Sequence, residues 1–310
     1  MSLPNRNLID VIYLVMDVSI IIVNYNTKDL IQNCIKSIFD VTKEVDFEVI
    51  IVDNASTDGS KELFETDSRV IYIYNKDNIG FGRANNIGFK IATGEYILCL
   101  NSDTLLIENS VSIMVNIMRK RRIDILGVKL VDLYGKMIHS YCPFLPSITW
   151  ELYYNFRLFG AMVSLYYKLK LCFFSILKVG YITGADLMLS ARIIKQYGGF
   201  DPDFFMYFEE SELQKRYKTN GFHSYYFAGT SIIHLEGKSN AIKESRELMY
   251  YKSRSIYYKK VYGELYEKMA NMVLMVSLNL RCFFFMLLGK KEMKQYYSSR
   301  IRIFYKSQNV

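Results

Sequence analysis

The chain has little from which to build a cross-linked or metal-stapled scaffold. Its five cysteines, Cys34, Cys99, Cys142, Cys172 and Cys282, are odd in number and nowhere spaced C-x-x-C. That excludes a disulfide framework and a zinc ribbon, and sets the expectation of a reducing, cytoplasmic compartment. No internal repeat or low-complexity linker is visible. No G-x-G-x-x-G follows the first apolar run, where Asn24-Tyr25-Asn26 stands instead, which argues against a dinucleotide-dependent oxidoreductase. Residues 1–15 lack a cationic stretch and a small-residue cleavage site, so they do not read as a signal peptide. Met16 directly precedes the first strand, and residues 1–15 are expected to be dispensable.

What is present is ample for one large folded domain with an appendage: 310 residues, 51% hydrophobic, 15% aromatic and 23% charged. The formal charge of +8 is not spread evenly. Residues 241–310 carry 14 Lys and Arg against 5 Asp and Glu, which leaves residues 1–240 at −1. A nucleic-acid-binding module would draw on the Lys, Arg, Tyr and Phe of the tail, but the balanced first 240 residues argue against it as the main activity.

From Val18 to Leu133 apolar strand-length runs alternate with helical spacing. The strands are Val18 to Asn24, Glu48 to Asp53, Val70 to Tyr74 and Tyr96 to Leu100, with helices over Thr27 to Val41 and Phe81 to Thr93. Strands this apolar belong in a parallel sheet covered on both faces, and such sheets bind ligands beyond the carboxyl ends of their strands. Farther on, Tyr141 to Lys178 reads as one or two helices, Val179 to Ser190 as a return strand, Glu209 to Thr219 as a short helix, and the chain from Ala241 as mostly helical.

Four polar constellations stand out. The turn Asp53 to Ser60 could accept hydrogen bonds from a base or ribose, or be a helix entry capped by Asp58 or Ser60. Asn101-Ser102-Asp103 suits Mg²⁺ or Mn²⁺, which take oxygen ligands and share them with substrate phosphates; an isolated Asp can equally be a turn residue. Glu209, Glu210 and Glu212 follow five apolar residues, an arrangement fit for acid/base chemistry or for a solvated helix N-terminus. His234 is one of three histidines and gains weight only beside the other sites.

Together VSIIIVNYN, VDNASTDGS, NxGFGRANNxG, LNSDT, GADLMLS, GGFDPDFFMYFEE and H-x-x-G-x-S resemble the inverting family 2 glycosyltransferases over roughly residues 17 to 260. Within them the order is most similar to the rhamnosyltransferase-like group that extends bacterial surface polysaccharides on lipid-linked acceptors. The resemblance implies an α/β GT-A fold, a Rossmann-like mixed, mostly parallel sheet flanked by helices, over residues 16–240, with residues 241–310 as a basic aromatic helical appendage. It implies a nucleotide-sugar donor, with dTDP-rhamnose the first expectation and UDP-galactose or UDP-glucose the alternatives. A non-catalytic sugar-nucleotide binder is the competing reading. Asn24, Tyr25, Asn26, Asp53, Asp58, Arg83, Asn85, Asn101 and Ser102 would line the donor side, with Asp53 on the pyrimidine base. Asp103 would hold a divalent metal, with His234 as a further metal or phosphate contact. Glu210 would be the base, flanked by Glu209 and Glu212, and Gly184, Ala185 and Asp186 would form the acceptor floor. Two positions depart from the family pattern. The metal motif offers only one carboxylate, and the base motif, usually Glu-Asp-x-Asp, is Glu209-Glu210-Ser211-Glu212, one methylene longer at the base.

Met269 to Gly289 holds 16 apolar residues of 21 but contains Arg281, which is costly at the centre of a membrane span. An interfacial helix fits better, with Phe283-Phe284-Phe285 on the apolar side and Lys290, Lys291, Lys294, Arg300 and Arg302 facing anionic lipid. The alternative is a helical pair packed on the catalytic domain. The expected location is the inner face of the plasma membrane, with no nucleic acid as partner.

Overall fold

The computed structural model describes residues 16–156, 160–235 and 243–308. The extension expected to be dispensable, and residues 237 and 239 of the H-x-x-G-x-S motif, lie outside them. The first part alternates as its apolar runs require: β1 (Val18–Asn24), α1 (Lys28–Val41), β2 (Phe47–Asp53), α2 (Ser60–Phe64), β3 (Ile71–Tyr74), α3 (Phe81–Ile91) and β4 (Tyr96–Asn101). After β5 (Thr104–Leu106), α4 (Ser110–Arg121) and β6 (Ile125–Val131), the region expected to be one or two helices differs. It opens with a short strand, β7 (Tyr141–Cys142), runs through α5 (Ile148–Phe156) and α6 (Gly160–Phe173), and ends in β8 (Ile176–Val179).

The expected return strand is split into β9 (Tyr181–Ile182) and β10 (Asp186–Ser190). The cause is a change of partner. Thr183 N–H donates to Ser140 O at 3.1 Å, while Ala185 O accepts from Asn101 N–H at 3.0 Å, so the chain leaves the β7–β9 pair and enters the main sheet here. Next come α7 (Ala191–Tyr197), α8 (Glu209–Thr219), β11 (Ser224–His234), α9 (Lys243–Tyr262), α10 (Glu264–Leu287) and α11 (Lys291–Gln308).

The main sheet runs β3-β2-β1-β4-β10-β6-β11-β5, with β8 on β11. Its longest ladders are parallel and β10 is antiparallel to both neighbours. Ile20, Ile21 and Ile22 of β1 are fully buried, and their alternating side chains enter different cores above and below the sheet. Register positions the site. Asn24 pairs with Asp53, Val23 with Asn101, and antiparallel Asp186 with Leu100, which brings three strand ends and one strand start to a single edge. His234 reaches the same neighbourhood opposite Thr104.

Residues on both sides of the expected 240/241 boundary share one core: Cys142, Trp150, Phe204 and Phe208 pack with Tyr257, Tyr258 and Ala270. The buried Arg254 of α9 pairs with the buried Glu151 of α5 at 2.7 Å and donates to Ala270 O. Two expectations for the tail need correction. Arg300 does not face outward with Lys290, Lys291, Lys294 and Arg302; its Nε–H donates to Tyr251 Oη at 3.1 Å and it lines an open cavity. Phe285 stacks on Tyr297 at 5.6 Å, leaving only Phe283 and Phe284 of the triplet exposed. Arg281 also turns inward, donating to Asn155 O from a half-buried position.

Candidate functional site

On the expected donor side the polar groups bind one another tightly. Asn24 is fully buried and donates from Nδ2 to Asp53 Oδ2 at 2.6 Å, while Asp53 Oδ1 accepts from Ser56 N–H at 2.7 Å. The Asp53 carboxylate thus organises its own turn from a fully buried position. Asn26, in the left-handed region at φ 54°, accepts from Thr57 N–H, and Tyr25 beside it is half exposed. Asp58 accepts from Lys28 N–H and from the Ser60 N–H and hydroxyl. Although partial burial works the other way, these bonds hold its carboxyl below the usual range.

Ser102 Oγ accepts from Thr27 Oγ1 at 2.9 Å, and next to it Asp103 Oδ1 stands 3.1 Å from His234 Nε2. The Asn101 amide is 3.4 Å from the same nitrogen. A carboxylate and an imidazole so placed fit a Mg²⁺ or Mn²⁺ ion that completes its shell from phosphate oxygens and water. Among the described residues no group of three or more His, Cys, Asp or Glu converges, so the protein's share of such a shell is small.

The glycine-rich segment before and within α3 does something its sequence did not disclose. Phe81 N–H donates to Phe205 O at 2.9 Å, Arg83 Nε–H to Pro202 O at 2.6 Å, and Asn86 exchanges two hydrogen bonds with Phe200. Gly80 has φ 88°, and a Cβ there would lie 2.3 Å from Phe205 O. Helix α3 therefore fastens the loop that carries the three glutamates, with Arg83 spent on that loop. Asn85 Nδ2 donates to Phe81 O one turn back in its own helix, and its buried Oδ1 has no hydrogen-bond partner.

That loop ends in strain. Tyr207 and Phe208 sit at φ 70° and 66°, where bulky side chains rarely go, and α8 begins at the next residue. The three glutamates differ sharply. Glu212 is paired with Arg216 at 3.0 Å, and that guanidinium also donates to the Tyr197, Gly198 and Gly199 carbonyls. Glu209 is buried with Oε2 unpartnered; burial first, and then the Glu210 charge, push its carboxyl well up. Glu210 lines a cavity of about 520 Å³, and burial pushes it up to about 7 against the pull of its own and the Ser211 backbone amides.

The cavity wall mixes elements from the whole chain. Trp150 and Tyr154 come from α5, Tyr181 and Thr183 from the strand break, Tyr207 and Phe208 from the strained turn, Arg246, Glu247 and Tyr250 from α9, and Arg300 from α11. Of the expected acceptor floor, Gly184 and Ala185 lie in the strand break next to Thr183. Asp186 is fully buried and accepts from Val128 N–H at 2.6 Å, and burial raises it to about 7. Sequence reasoning missed Trp150, Tyr250, Glu247 and Arg300; the only available signal was the density of aromatic and basic residues in α5 and the tail.

A model of "Glycosyl transferase family 2" matches residues 19–178, just over half of the chain. The chain belongs to glycosyl transferase family 2. A hexosyltransferase of low-salt glycan biosynthesis, Agl10 of Haloferax volcanii, is 26% identical over 200 residues, covering 63% of this chain and 60% of that protein. WfaP of Escherichia coli, a UDP-Glc:α-D-GlcNAc-diphosphoundecaprenol β-1,3-glucosyltransferase, is 36% identical over 108 residues, 34% of this chain and 43% of its own. The chain thus spans 60% or less of these curated relatives. The mannosyltransferase PcManGT of Pyrobaculum calidifontis, solved with GDP-Man and Mn²⁺, aligns at a TM-score of 0.57 and 13% identity over 93% of this chain and 85% of its own. Residues 1–349 of Staphylococcus aureus TarS, solved with UDP, align at 0.53 and 16% identity over 94% and 81%. These neighbours establish the GT-A-like fold: a mixed, mostly parallel sheet flanked by helices, with a C-terminal helical region.

Proposed function

We propose that the chain is an inverting glycosyltransferase that moves a hexose from a nucleotide donor to a hydroxyl of a lipid-linked saccharide during cell-surface glycan synthesis. The observation that carries this reading is Glu210. It is a half-buried carboxyl that burial raises to about 7, set in the wall of an aromatic cavity, while Asp103 and His234 stand together at the edge of the main sheet. Ionised Glu210 takes the proton of the acceptor hydroxyl as that oxygen attacks the anomeric carbon from the face opposite the leaving nucleotide, inverting the centre; such base assistance is typically worth ~10²–10⁴ in rate. Burial pushes the Glu209 carboxyl well up and Arg216 holds Glu212, which supports Glu210 as the base. Asp103 and His234 would hold a divalent metal, which supplies charge neutralisation at the leaving diphosphate. Asn24, Tyr25, Asn26, Asp53, Asp58, Asn101 and Ser102 would shape the nucleotide side. WfaP's name carries UDP-glucose, which joins dTDP-rhamnose as a donor to try first.

The helical tail supports a location on the inner face of the plasma membrane. Leu265, Met269, Met272, Val276, Leu280, Phe283 and Leu287 of α10 are all exposed and recur every three or four residues, forming one apolar stripe that ends at exposed Lys290, Lys291 and Lys294. The helix is long and apolar enough to cross a membrane by length and composition. Its opposite side is packed inward through Ala270, Leu274 and Leu278, which favours lying on an anionic surface. The deciding experiment is a thermal-shift panel of nucleotide sugars with and without Mg²⁺ or Mn²⁺. A true donor at 100 times its dissociation constant adds ~2.7 kcal/mol, and Asp103→Asn should abolish the metal dependence. A panel in which no nucleotide sugar stabilises the protein would overturn the reading.

A further inference from the structure

Helix α6 is apolar on both its faces, and only one of them has protein against it. Val163, Tyr167 and Leu171 turn inward and line a second cavity of about 490 Å³ together with Tyr141, Cys142 and Pro143. The Tyr167 ring lies 5.7 Å from that of Tyr141. Met162, Leu165, Tyr166 and Leu169 turn the other way, each more than half exposed. They recur at i, i+3, i+4 and i+7 and so form a single stripe along the helix. Exposed Phe174 continues it just beyond the helix end. A contiguous apolar patch of this kind marks an interaction surface.

The stripe ends among cations. Lys170 lies over the Tyr166 ring at 4.7 Å. Phe174 borders a groove of about 380 Å³ with Arg121 and Tyr225, and Tyr225 is the register partner of exposed Lys178. Burial first, and then the charges of Lys215 and Lys178, hold the Lys218 ammonium below the usual range, so these cations sit close together. The carboxylates nearby in the chain are already engaged, Asp124 by Arg192 and Glu212 by Arg216. Among the described residues none of Arg121, Lys178 and Lys218 makes an ion pair. A second copy of the chain seated on this stripe about a two-fold axis would set cations against cations, whereas an anionic bilayer answers both the apolar stripe and the charge. The stripe also starts beside the one on α10. Near the end of α5, Asn155 O accepts from Ser277 Oγ at 3.2 Å and from Arg281, on either side of exposed Leu280.

We infer that α6 is a second bilayer-docking element, with Met162, Leu165, Tyr166, Leu169 and Phe174 seated at the boundary of headgroups and acyl chains and with Arg121, Lys170 and Lys178 on lipid phosphates. The inference rests on the membrane location read from α10 and adds to it. Two helices meeting the surface fix the orientation of the protein as well as its proximity. The cavity under α6 shares His139 and Tyr154 with the one that Glu210 lines, so docking through α6 holds the Glu210 cavity close to the lipid.

The test is binding of the full-length protein to phosphatidylglycerol and phosphatidylcholine vesicles, read by sedimentation and by the emission of Leu165→Trp against brominated acyl chains. The wild type should bind phosphatidylglycerol and bind phosphatidylcholine weakly. Leu165→Glu with Leu169→Glu should weaken binding by about tenfold or more, the worth of burying a leucine. Both positions are exposed, so the melting midpoint should stay within about 1 °C and the metal-dependent response to nucleotide sugars should be unchanged. Arg121→Glu with Lys178→Glu should weaken binding to phosphatidylglycerol alone. Brominated phosphatidylglycerol should quench Leu165→Trp beyond the wild type, whose sole tryptophan, Trp150, is buried. Undiminished binding by the paired leucine variant, an unquenched Leu165→Trp, or equal binding of the wild type to the two lipids would overturn the inference. If Leu280→Glu with Phe284→Glu still abolishes binding in that case, the α10 reading stands without α6; a wild type that binds neither vesicle rejects both. Self-association in sedimentation velocity that the paired leucine variant disrupts would overturn the inference in favour of a second copy of the chain.

Discussion

Glu210→Gln carries two opposed expectations, one for activity and one for stability. The substitution keeps the side chain's shape and removes both the base and a charge that the cavity wall disfavours. Burial raises this carboxyl from 4.5 to about 7 in the folded protein. The folded state therefore binds the proton more tightly than the unfolded chain. The associated stability is complete below about pH 4.5 and is lost as pH rises through about 7. At about 1.4 kcal/mol per pH unit, the ionised wild type at pH 8 forfeits on the order of 3 kcal/mol that glutamine does not. For a domain of this size that is several degrees in melting midpoint, at roughly 2 °C per kcal/mol. Differential scanning calorimetry should show Glu210→Gln melting above the wild type at pH 8, with the gap closing toward pH 4.5. Sugar transfer by the same variant should fall by ~10²–10⁴, and the wild-type rate should climb with pH through about 7 as Glu210 ionises. Near-normal transfer together with no gain in melting at pH 8 would refute both the burial argument and the role.

Arg254→Met leaves Glu151 buried without its partner and should cost about 3–5 kcal/mol in urea unfolding; adding Glu151→Leu should recover most of the loss. Gly80→Ala drives a Cβ into Phe205 O at a φ that alanine avoids. It should destabilise by about 1–3 kcal/mol and lower transfer by displacing the glutamate loop; wild-type melting and rate would show that this contact yields freely. Leu280→Glu with Phe284→Glu changes two exposed residues of α10, so sedimentation with anionic vesicles should be lost while the melting midpoint stays within about 1 °C.

The first half of the molecule was largely legible in the sequence because its information is local. A strand of continuous Ile and Val must be buried on both faces, its polar end must lie at the sheet edge, and parallel pairing then aligns Asn24, Asp53 and Asn101 without further detail. The segment from Tyr141 to Ser190 was not legible for the opposite reason. Where Thr183 to Ala185 exchange one sheet for another, the decisive hydrogen bonds go to Ser140 and Asn101, distant in sequence and invisible to periodicity. Arg83 shows the same limit. Its motif sets the expectation of a donor-side residue, yet its side chain serves the loop at Pro202. In the tail, composition disclosed basic and aromatic character but not which face each cation takes, so Arg300 was expected to face outward and instead turns toward Tyr251 and the cavity.

The strained turn explains why a catalytic sheet should carry a helical tail at all. Two consecutive aromatic residues at positive φ cost about 1–3 kcal/mol each and persist only where surrounding contacts over-determine them. The contacts that do so come largely from α9. Tyr250 packs on Tyr207 and Phe208, Tyr257 packs on Phe208, and Ser253 Oγ donates to Met206 O at 2.7 Å. From the other side α3 holds Phe205 O. The turn that precedes Glu210 is therefore clamped between α3 and α9. Removing either clamp relaxes the backbone toward ordinary dihedrals and swings the glutamates away from the cavity. Since α9 is itself fastened by the Arg254–Glu151 pair, damage to that pair should depress transfer beyond what the lost stability alone accounts for, even at temperatures where the variant remains folded.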